Sequence, residues 1–329
     1  MNFCASSATP LDRLGIEIGH HTDITAETGM TAFLLKQGGA IGIHIPGGNS
    51  ATFNTPTFDL TSVGETVHGV VLTGGSTYGL ASVLGVMSWL EEHGIGNPAR
   101  GAIVPGTVGA MVYDLGNGRS DIRPTQQDGY RAAQSASSGR FDVGRVGVGT
   151  GATVGKWYGG KPGRGGFGTA TTELPHGMIV SAFVVTNSLG DVVAANGGDM
   201  ARASKLPNPA DDLRGLVGLM DFGRLANTDF DAPIPATTLA VVATNAALNK
   251  VQLTRVAQLA NHGVVRGVNP ANLTGDGDVI FALSSHSGER IEVAGIGPST
   301  YTDAVGMGAA DAVVRAVANS VARATTTDG

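Results

Sequence analysis

A single cysteine, Cys4, in 329 residues has no partner for an internal disulfide, which fits a reducing compartment and gives the expectation of a cytoplasmic protein. Charge is scarce too. Only 15% of residues are Asp, Glu, Lys or Arg and the formal net charge is -6, so there is no basic face to neutralise phosphates and no nucleic-acid partner is expected. No apolar run reaches the length of a membrane span, and the first twenty residues lack a basic start followed by an apolar core, so neither a membrane nor a secretory route is expected. The eight histidines show no close ligand spacing beyond the adjacent His20 and His21, which cannot alone hold zinc. No metal or organic cofactor is therefore indicated.

What the chain has is glycine. Its 51 glycines are about twice the average share of roughly 7%, and they fall between apolar runs without a Gly-x-y period. This is the pattern of a sheet protein with many tight turns and close backbone approaches. The length would suggest two domains, although α/β folds of this size often form one layered unit. Residues 1 to 12 read as a loose arm. Short strands are expected at Leu14 to Ile18, Thr31 to Leu35, Ala40 to Ile45, Val67 to Leu72, Ala110 to Tyr113, Met178 to Thr186 and Asp191 to Ala194, the last two paired as a hairpin across Ser188-Leu189-Gly190. Helical spacing runs from Leu80 to Leu90, over Thr125 to Ser138, from Lys250 to a stop at Gly263, and from Thr302 to Ala324. Between Gly197 and Pro235 the composition turns polar and proline-bearing, as befits exposed chain open to scission.

Three glycine-bearing stretches invite chemistry. Thr73-Gly74-Gly75-Ser76 joins a strand to a helix start and gathers backbone N–H groups, an arrangement equally suited to an anion or oxyanion site and to a plain tight turn. The run VGRVGVGTGATVGK at 143 to 156 is not a phosphate loop, because Thr150 stands where glycine is required and Trp157 where Ser or Thr is. What survives is a turn delivering Lys156. Asp276-Gly277-Asp278 places two carboxylates at the entrance of a strand, Val279 to Leu283, without the continuing acidic pattern of an EF-hand; a simple turn fits it as well.

The organising stretch is PATTLAVVATN at 235 to 245. Leu239 to Ala243 is a short run rich in β-branched residues, the composition of a strand buried on both faces, opened by Thr237 and Thr238. Thr is common at strand starts, and taken alone this stretch fits that bland reading best. If the Ala236-Thr237 bond were cut, however, Thr237 would carry a free α-amine beside its own hydroxyl. Such an amine, with an ordinary pKa near ~8, can accept the hydroxyl proton during attack on a carbonyl.

Six ordered blocks carry a resemblance: LTGGSTYGL (72 to 80), VYDLG (112 to 116), GTGATVGK (149 to 156), FVVTNSLGDVV (183 to 193), TTLAVVATNA (237 to 246) and GDGDVIFALS (275 to 284). Together they resemble the self-processing family that includes the L-aminopeptidase D-amidase/esterases, the β-peptidyl aminopeptidases and the 6-aminohexanoate-oligomer (nylon oligomer) hydrolases, over nearly the whole chain. The resemblance implies an α/β fold, a four-layer αββα sandwich of the N-terminal-nucleophile type, and a precursor that cuts itself before its nucleophile. Residues 1-236 and a second chain, 237-329, would stay together as one structural domain, and processed pairs would assemble into a homo-oligomer, a tetramer.

By this likeness Thr237 is the nucleophile, Tyr113 and Asn187 supply or support the oxyanion hole, and Lys156, Asp276 and Asp278 hold the nucleophile and its amine. Donors preset where negative charge develops contribute on the order of 3 kcal/mol each, and the two carboxylates can accept from the hydroxyl and ammonium of Thr237 while Lys156 offsets their charge. Threonine as nucleophile and the Asp-Gly-Asp arrangement resemble the nylon-oligomer branch. The implied activity is hydrolysis of small peptide-like or ω-amino-acid amides, with two rivals: acyl transfer from the same Thr237, and an uncut, inactive precursor. Ala236 motivates the second rival, because the family usually has Asn or Gly before the nucleophile; the related ornithine acetyltransferases are similar in cutting an Ala-Thr bond.

Overall fold

The apolar runs form one nine-stranded mixed sheet in the computed structural model, which describes residues 5–6, 9–156, 162–193, 199–201 and 235–325. Its strands are β1 (Glu17–Asp23), β2 (Thr28–His44), β3 (Thr52–Phe53), β4 (Val67–Thr73), β5 (Thr107–Met111), β6 (Gly166–Glu173), β7 (Ile179–Asn187), β8 (Thr237–Thr244) and β9 (Val279–Ser285). They lie in the order β6-β7-β8-β9-β2-β4-β5-β3, with β1 also paired to β2. The helices are α1 (Ala81–Glu92), α2 (Gln126–Ser135), α3 (Lys250–Gly267) and α4 (Pro298–Thr325).

β2 makes this sheet into two layers. Its second half, Gly39 to His44, pairs with β9, while its first half pairs with β1 and β4, and the register shifts between Leu34 and Gly39. The sequence pattern expects two strands here; the chain instead runs through in one, with only Lys36 and Gln37 exposed midway. Phe33, Leu72 and Val108 then face Phe167, Phe183 and Phe281 across the gap between the layers. Burying each such side chain stabilises by roughly 1.5–3 kcal/mol relative to leaving it exposed.

Alternation puts the remaining residues of the same strands against the helices. In β7, Ile179, Phe183 and Val185 belong to the inter-layer core, whereas Val180, Ala182 and Val184 pack with residues of α3 and α4. A third cluster joins Met30, Ala32 and Val71 to Val83 and Leu90 of α1 and Ala132 of α2. Three cores separate four layers, αββα, because strands buried on both faces need cover on both.

Several local expectations give way. Leu14 ends a short helix, Leu11–Leu14, and the strand begins only at Glu17. The expected hairpin across 188 to 190 does not form: β7 pairs with β6 and β8, while Asp191–Val193 pairs with Val268–Asn269. The polar stretch from 197 to 235 lies outside the described residues except for 199–201 and Pro235. Among the described residues no helix is long and apolar enough to cross a membrane.

Gly263 is no helix stop either. It lies inside α3, where a Cβ would come within 2.4 Å of the Ala310 carbonyl oxygen on α4. Gly263→Val is therefore expected to destabilise by roughly 1–3 kcal/mol through overpacking, read as a lower Tm in thermal denaturation; an unchanged Tm would show that the two helices yield freely.

Candidate active site

The site lies at one end of the gap between the two layers. On one layer β8 and β9 run parallel and start there, and β7, antiparallel to β8, ends there. Thr237, the first residue of β8, is the register partner of Asn187, the last of β7. Thr237 shares strand parity with Leu239 and Val241, which belong to the inter-layer core, so its side chain is directed to that gap. From the other layer come the ends of β4 and β5 and the start of β2.

The chain is continuous through residue 237, and Thr237 is only 2% exposed. Its hydroxyl donates to the carbonyl oxygen of Ala236 at 2.6 Å. The same oxygen accepts from the backbone N–H of Gly277 at 2.7 Å. Since a carbonyl bond is about 1.23 Å long, the hydroxyl oxygen is at most about 3.8 Å from the Ala236 carbonyl carbon. A Cβ on residue 277 would fall 2.6 Å from the Thr237 hydroxyl, which explains why a glycine separates the two aspartates.

Lys156 is buried beside this bond. Its ammonium donates to the Asn187 carbonyl at 3.0 Å, to Asn187 Oδ1 at 2.8 Å and to the Pro235 carbonyl at 3.3 Å, three acceptors for three protons. Asn187 is in turn fixed by its Nδ2 donating to the Tyr113 carbonyl at 3.0 Å and by the Thr153 N–H donating to its Oδ1 at 3.0 Å. Tyr113 thus meets the group through its main chain. Asp278 accepts from the Thr238 N–H at 2.6 Å and, at its other oxygen, from the backbone and side chain of Asn272 at 3.0 and 2.7 Å. Asp276 accepts from the Leu273 N–H at 2.8 Å, and its residue is bridged in parallel to Ala236.

Burial dominates the electrostatics. It pushes the Lys156 ammonium down to about 7 against the pull of Asp276 and Asp114. It pushes the Asp278 carboxyl up to about 6, with repulsion from Asp276 adding to the rise. Asp276 and Asp114 are raised too, again chiefly by desolvation. The cluster therefore holds groups that exchange protons near neutrality in place of fixed charges.

Sequence reasoning named Thr237, Asn187, Lys156, Asp276 and Asp278, and these are brought together, with Tyr113 adjoining through its carbonyl. It missed two contributors. One is the Gly277 N–H on the Ala236 carbonyl, which no residue type advertises. The other is Asp114, 2% exposed, whose carboxylate accepts from the Gly75 N–H and the Thr28 hydroxyl, both at 2.7 Å. A lone aspartate closing an apolar strand was the available signal. The N–H groups of the glycine turn after β4 are taken up within the protein: Gly75 gives its N–H to the Asp114 carboxyl, and Gly74 and Ser76 give theirs to the carbonyls of Gly29 and Val112. Among the described residues no cluster of three or more His, Cys, Asp or Glu could hold a metal ion.

The sequence profile of peptidase family S58 matches residues 11–329. An uncharacterized aminopeptidase of Mycobacterium leprae is 34% identical over 347 aligned residues, covering 97% of this chain and 91% of the relative. A 6-aminohexanoate-oligomer endohydrolase of a Kocuria strain is 27% identical, covering 75% of this chain and 69% of that protein. The solved L-aminopeptidase D-Ala-esterase/amidase of Ochrobactrum anthropi, described as a variant of the Ntn hydrolase fold, superposes with a TM-score of 0.69 at 21% identity, over 97% of this chain and 88% of its own.

Proposed function

The chain belongs to peptidase family S58 and is a hydrolase of amide bonds, and from that premise we propose that it is an N-terminal-threonine amidohydrolase made by cutting its own Ala236–Thr237 bond. The observation that carries the reading is the double hydrogen bond on one carbonyl: the Thr237 hydroxyl at 2.6 Å and the Gly277 N–H at 2.7 Å both point at the Ala236 oxygen. The attacking group is beside its target, and a fixed donor already stands where negative charge develops.

In the first step the Thr237 Oγ bonds to the Ala236 carbonyl carbon, the carbon–nitrogen bond breaks, and the hydroxyl proton ends on the departing nitrogen. Water then divides the resulting ester, leaving a carboxylate at Ala236 and a free hydroxyl and amine on Thr237. In each later turnover that amine takes the hydroxyl proton as Oγ attacks the substrate and returns it to the leaving amine. The Gly277 N–H stands where the oxyanion develops, Asn187, held by the Tyr113 carbonyl, fixes Lys156 beside it, and Asp276 and Asp278 accept from the new ammonium. The substrate class is an amide in a small peptide-like or ω-amino-acid oligomer, in keeping with the names of the aminopeptidase and oligomer-endohydrolase relatives.

Self-cleavage needs a nearby base, and the Asp278 carboxyl becomes one as it ionises at about 6. Below that pH it is protonated and cannot accept; above it the carboxylate is available. The purified chain incubated between pH 5 and 8 is expected to divide into polypeptides of 236 and 93 residues, at a rate that rises through about pH 6 and then levels. Denaturing mass spectrometry reads both. A chain that stays whole at every pH would end the proposal.

A further inference from the structure

We infer that Asn272 and Asn261 are positioning residues for Asp278: two amides in series, the second fixed in α3, that surround the carboxyl with donors alone and so set the pH down to which it stays an acceptor. This rests on the reading that Asp278 is the base for self-cleavage at Thr237. Among the described residues the partners of the Asp278 carboxyl are all N–H groups. Oδ1 accepts from the Thr238 N–H at 2.6 Å, and Oδ2 accepts from the Asn272 N–H at 3.0 Å and from Asn272 Nδ2 at 2.7 Å. A carboxylate can accept from all three, whereas a protonated carboxyl would turn its own proton towards a donor, so the set favours the charged form. Burial and the charge of Asp276 push the other way and raise the group to about 6; the donors limit that rise.

Which end of the Asn272 amide faces the carboxyl is decided one step away. Its Oδ1 accepts from Asn261 Nδ2 at 2.8 Å, which leaves the NH2 group for Asp278. Asn261 lies within α3, whose Ala257 and Ala260 share a core with Ala240 of β8 and Ile280 of β9, so the amide pair is tied to a packed helix. Asn272 itself has a left-handed backbone, φ 58°, which Asn tolerates better than most residues with a side chain. In that conformation its N–H and its amide reach one oxygen. Few titratable groups stand around Asp278. Asp276, on the same turn, opposes its ionisation, and Lys156 couples to Asp276. β8 offers a backbone N–H, α3 a neutral amide, and β2 ends in His44, in register with Ile280. The chain after β2 gives the Gly47 N–H and the Ser50 hydroxyl to the Asp278 main-chain carbonyl. Substitutions at 272 and 261 leave all of these groups in place.

The test follows self-cleavage against pH by denaturing mass spectrometry. Asn272→Gly removes the amide and keeps a residue at ease with a left-handed backbone. Its half-maximal rate is expected to move up by about 1 pH unit, the lower end for a hydrogen bond to a charged group, leaving it about fivefold slower than the parent at pH 6 and converging on it above about pH 8. Asn261→Ala, which frees the Asn272 amide to turn, is expected to move the profile the same way by less. Profiles that coincide with the parent's, or a slowing by one factor at every pH, overturn the inference, since loss of packing alone has no pH dependence. A shift with Asn272→Gly alone overturns the part given to Asn261. The ionisation is also read without any cut, in Thr237→Ala carrying 13C-carboxyl aspartate, with the Asp278 signal assigned by its loss in Asp278→Asn. Adding Asn272→Gly is expected to raise its titration by about 1 unit, and an unmoved titration overturns the inference even where the parent divides. A parent that never divides ends the catalytic reading, while a moved titration would still uphold the hold of Asn272 on the charge of Asp278.

Discussion

Thr237→Ala is expected to yield a single chain of about 33.2 kDa that neither divides nor hydrolyses amides. The substitution removes the hydroxyl that donates to the Ala236 carbonyl, and because that carbonyl is then never attacked, the α-amine needed for later turnover is never uncovered. One change is expected to abolish both steps. The loss of amide hydrolysis is expected to be on the order of 10⁴-fold or more, as for removal of other nucleophiles that act as part of a unit. Thr237→Ser keeps a hydroxyl and, once cut, an amine, so it is expected to process and to turn over substrate. Mass spectrometry and an anilide assay on the same preparations check both variants, and an alanine variant that still divides would require another attacking group.

Gly277→Ala is expected to slow self-cleavage by about 100-fold, the scale of effect that follows a displacement near 1 Å of a reacting group. The added Cβ would stand 2.6 Å from the Thr237 hydroxyl and 3.2 Å from the Asn49 carbonyl oxygen, so either the hydroxyl moves or the 276–278 turn does. If the turn moves, the Gly277 N–H leaves the Ala236 oxygen, and loss of such a donor costs on the order of 10²- to 10³-fold. Gly275→Ala is the matched control: two residues away, its Cβ would meet nothing within 4 Å, and its half-time should stay within about twofold of the parent. Equal behaviour of the two variants, followed by gel or mass spectrometry over time, would mean that close packing at residue 277 has no part in the cut.

The sequence discloses strands wherever β-branched residues fill both faces. Val67 to Leu72 and Met178 to Thr186 are found within a residue or two of β4 and β7, because burial on both sides leaves an unbroken apolar run. It misleads where pairing is distant. Ser188-Leu189-Gly190 has the composition of a hairpin turn, yet the partner of Asp191–Val193 lies near residue 268, and no local pattern records a contact across that separation. Gly263 misleads in a related way, since its reason for being glycine is another helix. The site divides along the same line. The residue types that do chemistry stand out in a chain poor in charge, but their convergence depends on two registers, Asn187 opposite Thr237 and Leu239 opposite Val279. Asp114 and the Gly277 N–H stayed hidden, one because its partners, the Gly75 N–H and the Thr28 hydroxyl, lie far from it in the sequence and the other because it is a backbone group.

Protein ends are ordinarily the loosest parts of a molecule and spend much of their time away from their average position. β8 has a strand hydrogen-bonded along each side, so an amino terminus created at its first residue would appear in the stiffest part of the architecture, without room to fray. The amine and alcohol of that terminus would have almost no other arrangements to sample, and the entropy of aligning them would already have been spent when the chain folded.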